Sequence, residues 1–143
     1  MKPRFVLDAW AILALLQGEE PAASRVKELL REARQETVEL FMSIINLGEV
    51  TYIVGKAKGR TEAWKTLDQI RGLALTVLPA SEEAVLAAVA LKIDHAISYT
   101  DAFAAAAAEE TRAVLVTGDA ELVGLQDRLA IEELERRAAP PPR

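Results

Sequence analysis

The stretch Ala113-Val114-Leu115-Val116-Thr117-Gly118-Asp119 decides the fold class. A short apolar run rich in valine and closed by glycine is a buried strand, because it is too short for a helix. Gly118-Asp119 then turns into a short helix through Leu122. The start of the chain has the same form: Phe5-Val6-Leu7 is a strand, Asp8 ends it, and Ala9 to Leu16 is helical. Glu39-Leu40-Phe41-Met42-Ser43 and Leu75-Thr76-Val77-Leu78-Pro79 add two more strands. Strands alternating with helices predict an α/β fold with a mostly parallel sheet.

The helices between them are read from their periodicity. Ala22, Val26, Leu29, Leu30 and Ala33 recur at helical spacing. Ile44 to Val54 is apolar on nearly every side, and Gly55 to Arg60 is expected to break it with a small basic loop. Thr61 is the expected cap of a helix to Arg71, with Ala63, Trp64, Leu67 and Ile70 inward. Ser81 caps a helix whose expected buried stripe is Val85, Leu86, Val89 and Ile93. The alanine-rich helix from Ala102 to Glu110 has side chains small enough for close approach of other elements. Leu129-Ala130-Ile131 is either an edge strand or the start of a helix to Arg137. One domain spans 1–137, and 138–143 form a proline-rich frayed tail.

Composition narrows the chemistry. The 143 residues include no cysteine and a single histidine, His95. Disulfides, thiolate zinc sites, cysteine nucleophiles and two-histidine acid–base chemistry are therefore excluded. His95 ends a helix, where a cation is favourable, and is given no catalytic role. No segment reads as a secretion signal or membrane span, so a cytoplasmic location is expected. The net charge of −5 argues against a general nucleic-acid binder, unless bound metal ions restore positive charge locally.

Four acids point to such a site: Asp8, Glu49, Asp101 and Asp119. Each of the three aspartates stands at or near a helix start, where Asp is a favoured cap worth ~1 kcal/mol. Asp8 and Asp119 also follow strands directly, at the edge where open α/β sheets bind ligands, and Ile97-Ser98-Tyr99 can bring Asp101 there too. Glu49 lies in the apolar helix, with Ser43 and Asn46 extending a narrow polar stripe; residues 46 and 49 project about 60° apart. Its alternative is a buried salt bridge to an arginine such as Arg112. An all-oxygen carboxylate site suits Mg²⁺ or Mn²⁺ rather than Zn²⁺. The matching reaction is attack of metal-activated water on a phosphodiester. Lys56, Lys58 and Arg60 lie just beyond the Glu49 helix, where they can meet phosphates or simply form a solvated loop.

The ordered set Val6-Leu7-Asp8-Ala9, Ser43-Ile44-Ile45-Asn46-Leu47-Gly48-Glu49, Ser98-Tyr99-Thr100-Asp101-Ala102 and Leu115-Val116-Thr117-Gly118-Asp119 resembles the PIN-domain ribonucleases, in particular toxins of the VapC type. The resemblance implies a three-layer α/β/α fold with four or five central strands. It also implies an acidic pocket holding Mg²⁺ or Mn²⁺, RNA cleavage, a homodimer and an antitoxin partner that blocks the pocket. By position, Asp8, Glu49, Asp101 and Asp119 become catalytic and metal-binding residues, with Asn46, Ser43 and Thr117 in support. The chain departs from the pattern at Trp10, where members often carry Ser or Thr; the indole is read as a core aromatic, with base stacking as the alternative. Two rival readings are a PIN-like binding module without catalysis and a phospho-acceptor receiver domain. The second lacks its early acidic pair and late lysine.

Overall fold

A computed structural model describes residues 1–136; the tail expected at 138–143 lies outside them. Five strands form one wholly parallel sheet in the order β3-β2-β1-β4-β5. They are β1 (Arg4–Leu7), β2 (Glu39–Ser43), β3 (Thr76–Leu78), β4 (Val114–Thr117) and β5 (Ile131–Glu133). The segment after Gln126 thus resolves as an edge strand, not a helix. Pairing with β4 decides it: Leu115 stands opposite Ile131 and Thr117 opposite Glu133.

Seven helices cover the described sheet: α1 (Ala9–Gln17), α2 (Ala22–Arg34), α3 (Ile44–Lys58), α4 (Arg60–Arg71), α5 (Glu82–Asp94), α6 (Tyr99–Thr111) and α7 (Ala120–Val123). Successive strand residues point to opposite faces and feed two cores. Leu7, Leu40, Met42 and Val116 meet α1 to α4. Val6, Leu115 and, partly buried, Phe41 meet α5 to α7. The result is the expected three-layer α/β/α sandwich. Alanines Ala102 and Ala104 to Ala108 are all buried, so α6 packs in the interior as its composition predicts.

Four local expectations are overturned. The basic segment after Val54 is not a loop: α3 continues to Lys58, Gly59 alone makes the break, and Arg60 opens α4. Gly59 takes φ +95°, which favours glycine, and it occupies the cap position expected of Thr61. Trp64 points outward, 59% exposed. On α5 the buried residues are Ala88 and Leu91, whereas Leu86, Val89 and Ile93 face solvent. That helix is apolar on two sides, and periodicity does not say which side its neighbour α6 takes.

Candidate metal centre

The chain order reverses between β1 and β4, with β2 on one side of β1 and β4 on the other. Loops leaving a parallel sheet on either side of such a point open a crevice beyond the strand ends. Asp8 and Asp119 leave those two strands. The register Leu7 to Val116 puts Asp8 level with Thr117.

Asp8 is 2% exposed and serves two roles. Its Oδ1 accepts from the amide of Ala11 at 2.8 Å, capping α1. Its Oδ2 accepts from the hydroxyl of Thr117. Thr117 Oγ1 in turn accepts from the amide of Asp119 at 3.0 Å, so one threonine joins the two acids. Burial pushes Asp8 up to about 7 despite those hydrogen bonds, and the charges of Asp101 and Asp119 add to the rise.

Asp101 is not a cap. Ser98 caps α6 by accepting from the Asp101 amide at 3.1 Å, and Asp101 occupies the first turn. Burial, then the charge of Asp119, push its carboxyl up to about 7; Glu49 and Glu121 contribute further. Asp119 caps α7 through the amide of Glu121 at 2.8 Å. That turn brings in an acid which the sequence reading missed: oxygens of Asp101, Asp119 and Glu121 all lie within 4.8 Å of one another. The available signal was the acid-x-acid spacing of Asp119 and Glu121. A first-turn glutamate is ordinarily explained by the helix dipole, which hides it.

Glu49 is half-buried rather than enclosed, and it forms none of the ion pairs found among the described residues. Arg112 caps the far end of α6, so the suggested pair between them does not form. Glu49 lies outside the three-acid cluster, though near enough for its charge to act on Asp101. Asn46 is buried and ties α3 to the start of α6, donating from Nδ2 to the Thr100 carbonyl at 2.9 Å. Its Oδ1 is buried without a hydrogen-bond partner among the described residues. Ser43 caps α3 by accepting from the Ile45 amide at 3.1 Å.

Trp10 is a packing group. A Cβ on Gly118 would stand 2.4 Å from its ring, so glycine lets the Thr117–Asp119 turn lie against the indole. The Arg136 guanidinium covers the ring at 5.0 Å from its centre. Lys56, Lys58 and Arg60 are exposed, and only Lys56 and Arg60 line the cavity between α3 and α4.

These residues fit a divalent cation. The donors are all oxygen, and their spread matches about twice the Mg²⁺ or Ca²⁺ ligand distance of roughly 2.0–2.6 Å. Burial and the charge of neighbouring acids push the Asp8 and Asp101 carboxyls up, which a bound cation would relieve, and the buried Asn46 Oδ1 has no donor among the described residues.

A model of the PIN domain matches residues 5–128. No curated protein sequence matches the chain significantly. Among solved structures, the chain is similar to a toxin–antitoxin complex from Klebsiella pneumoniae, with TM-score 0.68 and 16% identity over 92% of this chain and 98% of that one. DNA-bound VapBC from Salmonella typhimurium gives 0.70 and 18% over 92% and 98%. VapC20 of Mycobacterium tuberculosis, a toxin that cleaves the sarcin–ricin loop, gives 0.67 and 16% over 84% and 93%. At these identities the structures speak to the fold, while the family model spans most of the sequence. The chain belongs to the PIN domain family.

Proposed function

We propose that the protein is a divalent-metal-dependent endoribonuclease, hydrolysing phosphodiester bonds in single-stranded or looped RNA as the toxin of a toxin–antitoxin pair. The observation that carries this reading is the convergence of Asp101, Asp119 and Glu121 beside buried Asp8 at the carboxyl edge of the sheet. Asp8, Asp101, Asp119 and Glu121 would hold Mg²⁺ or Mn²⁺. When bound, the ion supplies Lewis acidity toward a phosphate oxygen and lowers the pKa of water. The chain's own groups set the geometry. Thr117 locks Asp8 against Asp119, and Asn46 ties α3 to the start of α6, which leaves Glu49 near enough to act on Asp101 and to orient the attacking water. The orphan Asn46 oxygen is a further acceptor for that water.

The toxin–antitoxin complexes among the structural neighbours support an antitoxin partner that covers the acidic pocket. A homodimer is supported by the exposed apolar side of α5, Leu86, Val89 and Ile93. A chain without cysteine suits the cytoplasm. One observation favours a binding module without catalysis: both Asp8 oxygens already have protein partners.

Cleavage of an RNA panel in Mn²⁺, Mg²⁺ or EDTA separates the two. Metal-dependent cleavage by the wild type, lost in Asp8→Asn with an unchanged circular dichroism spectrum, is expected. Undiminished cleavage in excess EDTA overturns the proposal. A binding module would show neither cleavage nor a rise in melting temperature with Mn²⁺.

A further inference from the structure

The hairpin of α3 and α4 carries a groove of about 600 Å³ that the acidic centre does not use. Its rim is Gly48, Tyr52 and Lys56 of α3 with Arg60, Trp64 and Arg71 of α4. A Cβ on Gly55 would lie 3.2 Å from the Ala63 Cβ, which fixes how the two helices face each other across the Gly59 turn. With Gly55 opposite Ala63, Tyr52 and Trp64 stand about 3 Å apart along the hairpin axis, and Lys56 and Arg60 follow with the same offset, about 6 Å nearer the Gly59 turn. Tyr52 is 64% exposed and Trp64 59%. Lys56, Arg60 and Arg71 join none of the ion pairs found among the described residues. The lining continues past Gly48, the chain neighbour of Glu49, to Ile44, the first residue of α3 at the carboxyl end of β2.

We infer that this groove seats the single-stranded RNA that leads into the acidic centre, with an unpaired base stacked on Tyr52 and Trp64 and the adjoining phosphates on Lys56 and Arg60. The inference rests on the ribonuclease reading and names how that site takes its substrate. Exposed rings toward the base of the hairpin and cations toward the Gly59 turn offer neighbouring places for a base and for its phosphates. Stacking on aromatic rings holds any base, because every base has a π-face. A protein of net charge −5 with acids at its sheet edge repels RNA, so cations that line the groove without an ion pair among the described residues supply what a polyanion needs. The volume falls in the roughly 300–1,000 Å³ range of pockets for small ligands.

Tyr52→Ala and Trp64→Ala change exposed rings and leave the fold intact. With a short unstructured RNA and Mn²⁺, each should raise KM about tenfold with kcat within about twofold, while Tyr52→Phe and Trp64→Phe stay near wild type. In EDTA, poly(A) should quench the tryptophan emission of the wild type but not of Trp64→Phe. Lys56→Ala and Arg60→Ala should each lower the salt slope of binding by about one. Unchanged KM in both alanine variants, beside normal metal-dependent cleavage, overturns the inference and marks the groove as a protein-docking surface. Absent cleavage by the wild type overturns the ribonuclease reading instead, and quenching through Trp64 would still place RNA in the groove.

Discussion

A carboxylate at 2% exposure, with one oxygen on a helix amide and the other on a threonine, is held by the fold before any ion arrives. Thr117 is the hinge of that arrangement, since it also receives the Asp119 amide. Thr117→Val should therefore cost about 1–3 kcal/mol, because it leaves a buried acceptor unsatisfied. Urea denaturation should show a larger loss at pH 8, where Asp8 is ionised, than at pH 5. Gly118 matters for its lack of a side chain rather than for its backbone angles. Gly118→Ala drives a methyl into the Trp10 ring and should destabilise by about 1–3 kcal/mol. It should also weaken Mn²⁺ binding in calorimetry by displacing Asp119, and a smaller residue at position 10 should recover part of both losses. At this scale the sequence pointed to Asp8 and Asp119 through their placement after apolar strands, and to Asp101 through its place at the start of the alanine-rich helix. Glu121 stayed hidden because it joins them only when α7 turns back toward α6.

The helices show where pattern reading stops. The apolar positions of α5 form two stripes, and packing against α6 buries the one containing Ala88 and Leu91. The other, Leu86, Val89 and Ile93, is left for a partner copy under the homodimer proposal. Ile93→Lys should convert the dimer to monomer in sedimentation equilibrium. Because Ile93 is 77% exposed, monomer stability should change by less than about 0.5 kcal/mol. The α3–α4 hairpin was misread for a related reason. Gly55 reads locally as a breaker, yet here it is the contact that lets two helices approach, with Ala63 opposite. Gly55→Val should overpack that contact, costing about 1–3 kcal/mol in chemical denaturation.

For the molecule as a whole, the acidic centre couples stability to pH and to metal. Asp8 and Asp101 have folded values raised from 3.8 to about 7. Below about pH 4 both are protonated, folded or unfolded. Between pH 4 and 7 the unfolded chain gives up these protons first, so the metal-free protein loses stability as pH rises, on the order of a few kcal/mol by pH 8. Denaturation midpoints in EDTA from pH 4 to 8 should follow that fall. Mn²⁺ at a hundred times its Kd should restore about 2.7 kcal/mol at pH 8. A flat profile in EDTA would mean that the Asp8 and Asp101 carboxyls are not raised above their ordinary values.

The sequence by itself determined the alternation of strands and helices, the four main strands and the order of the acids. Each is a local pattern of apolar runs, turn residues and charges placed against them. Tertiary structure alone decided that β5 pairs with β4, which side of α5 is buried, that Glu49 is half-open and that Glu121 completes the cluster. Those outcomes depend on strand pairing and helix packing between residues far apart in the chain, and no local periodicity encodes which neighbour a face will meet.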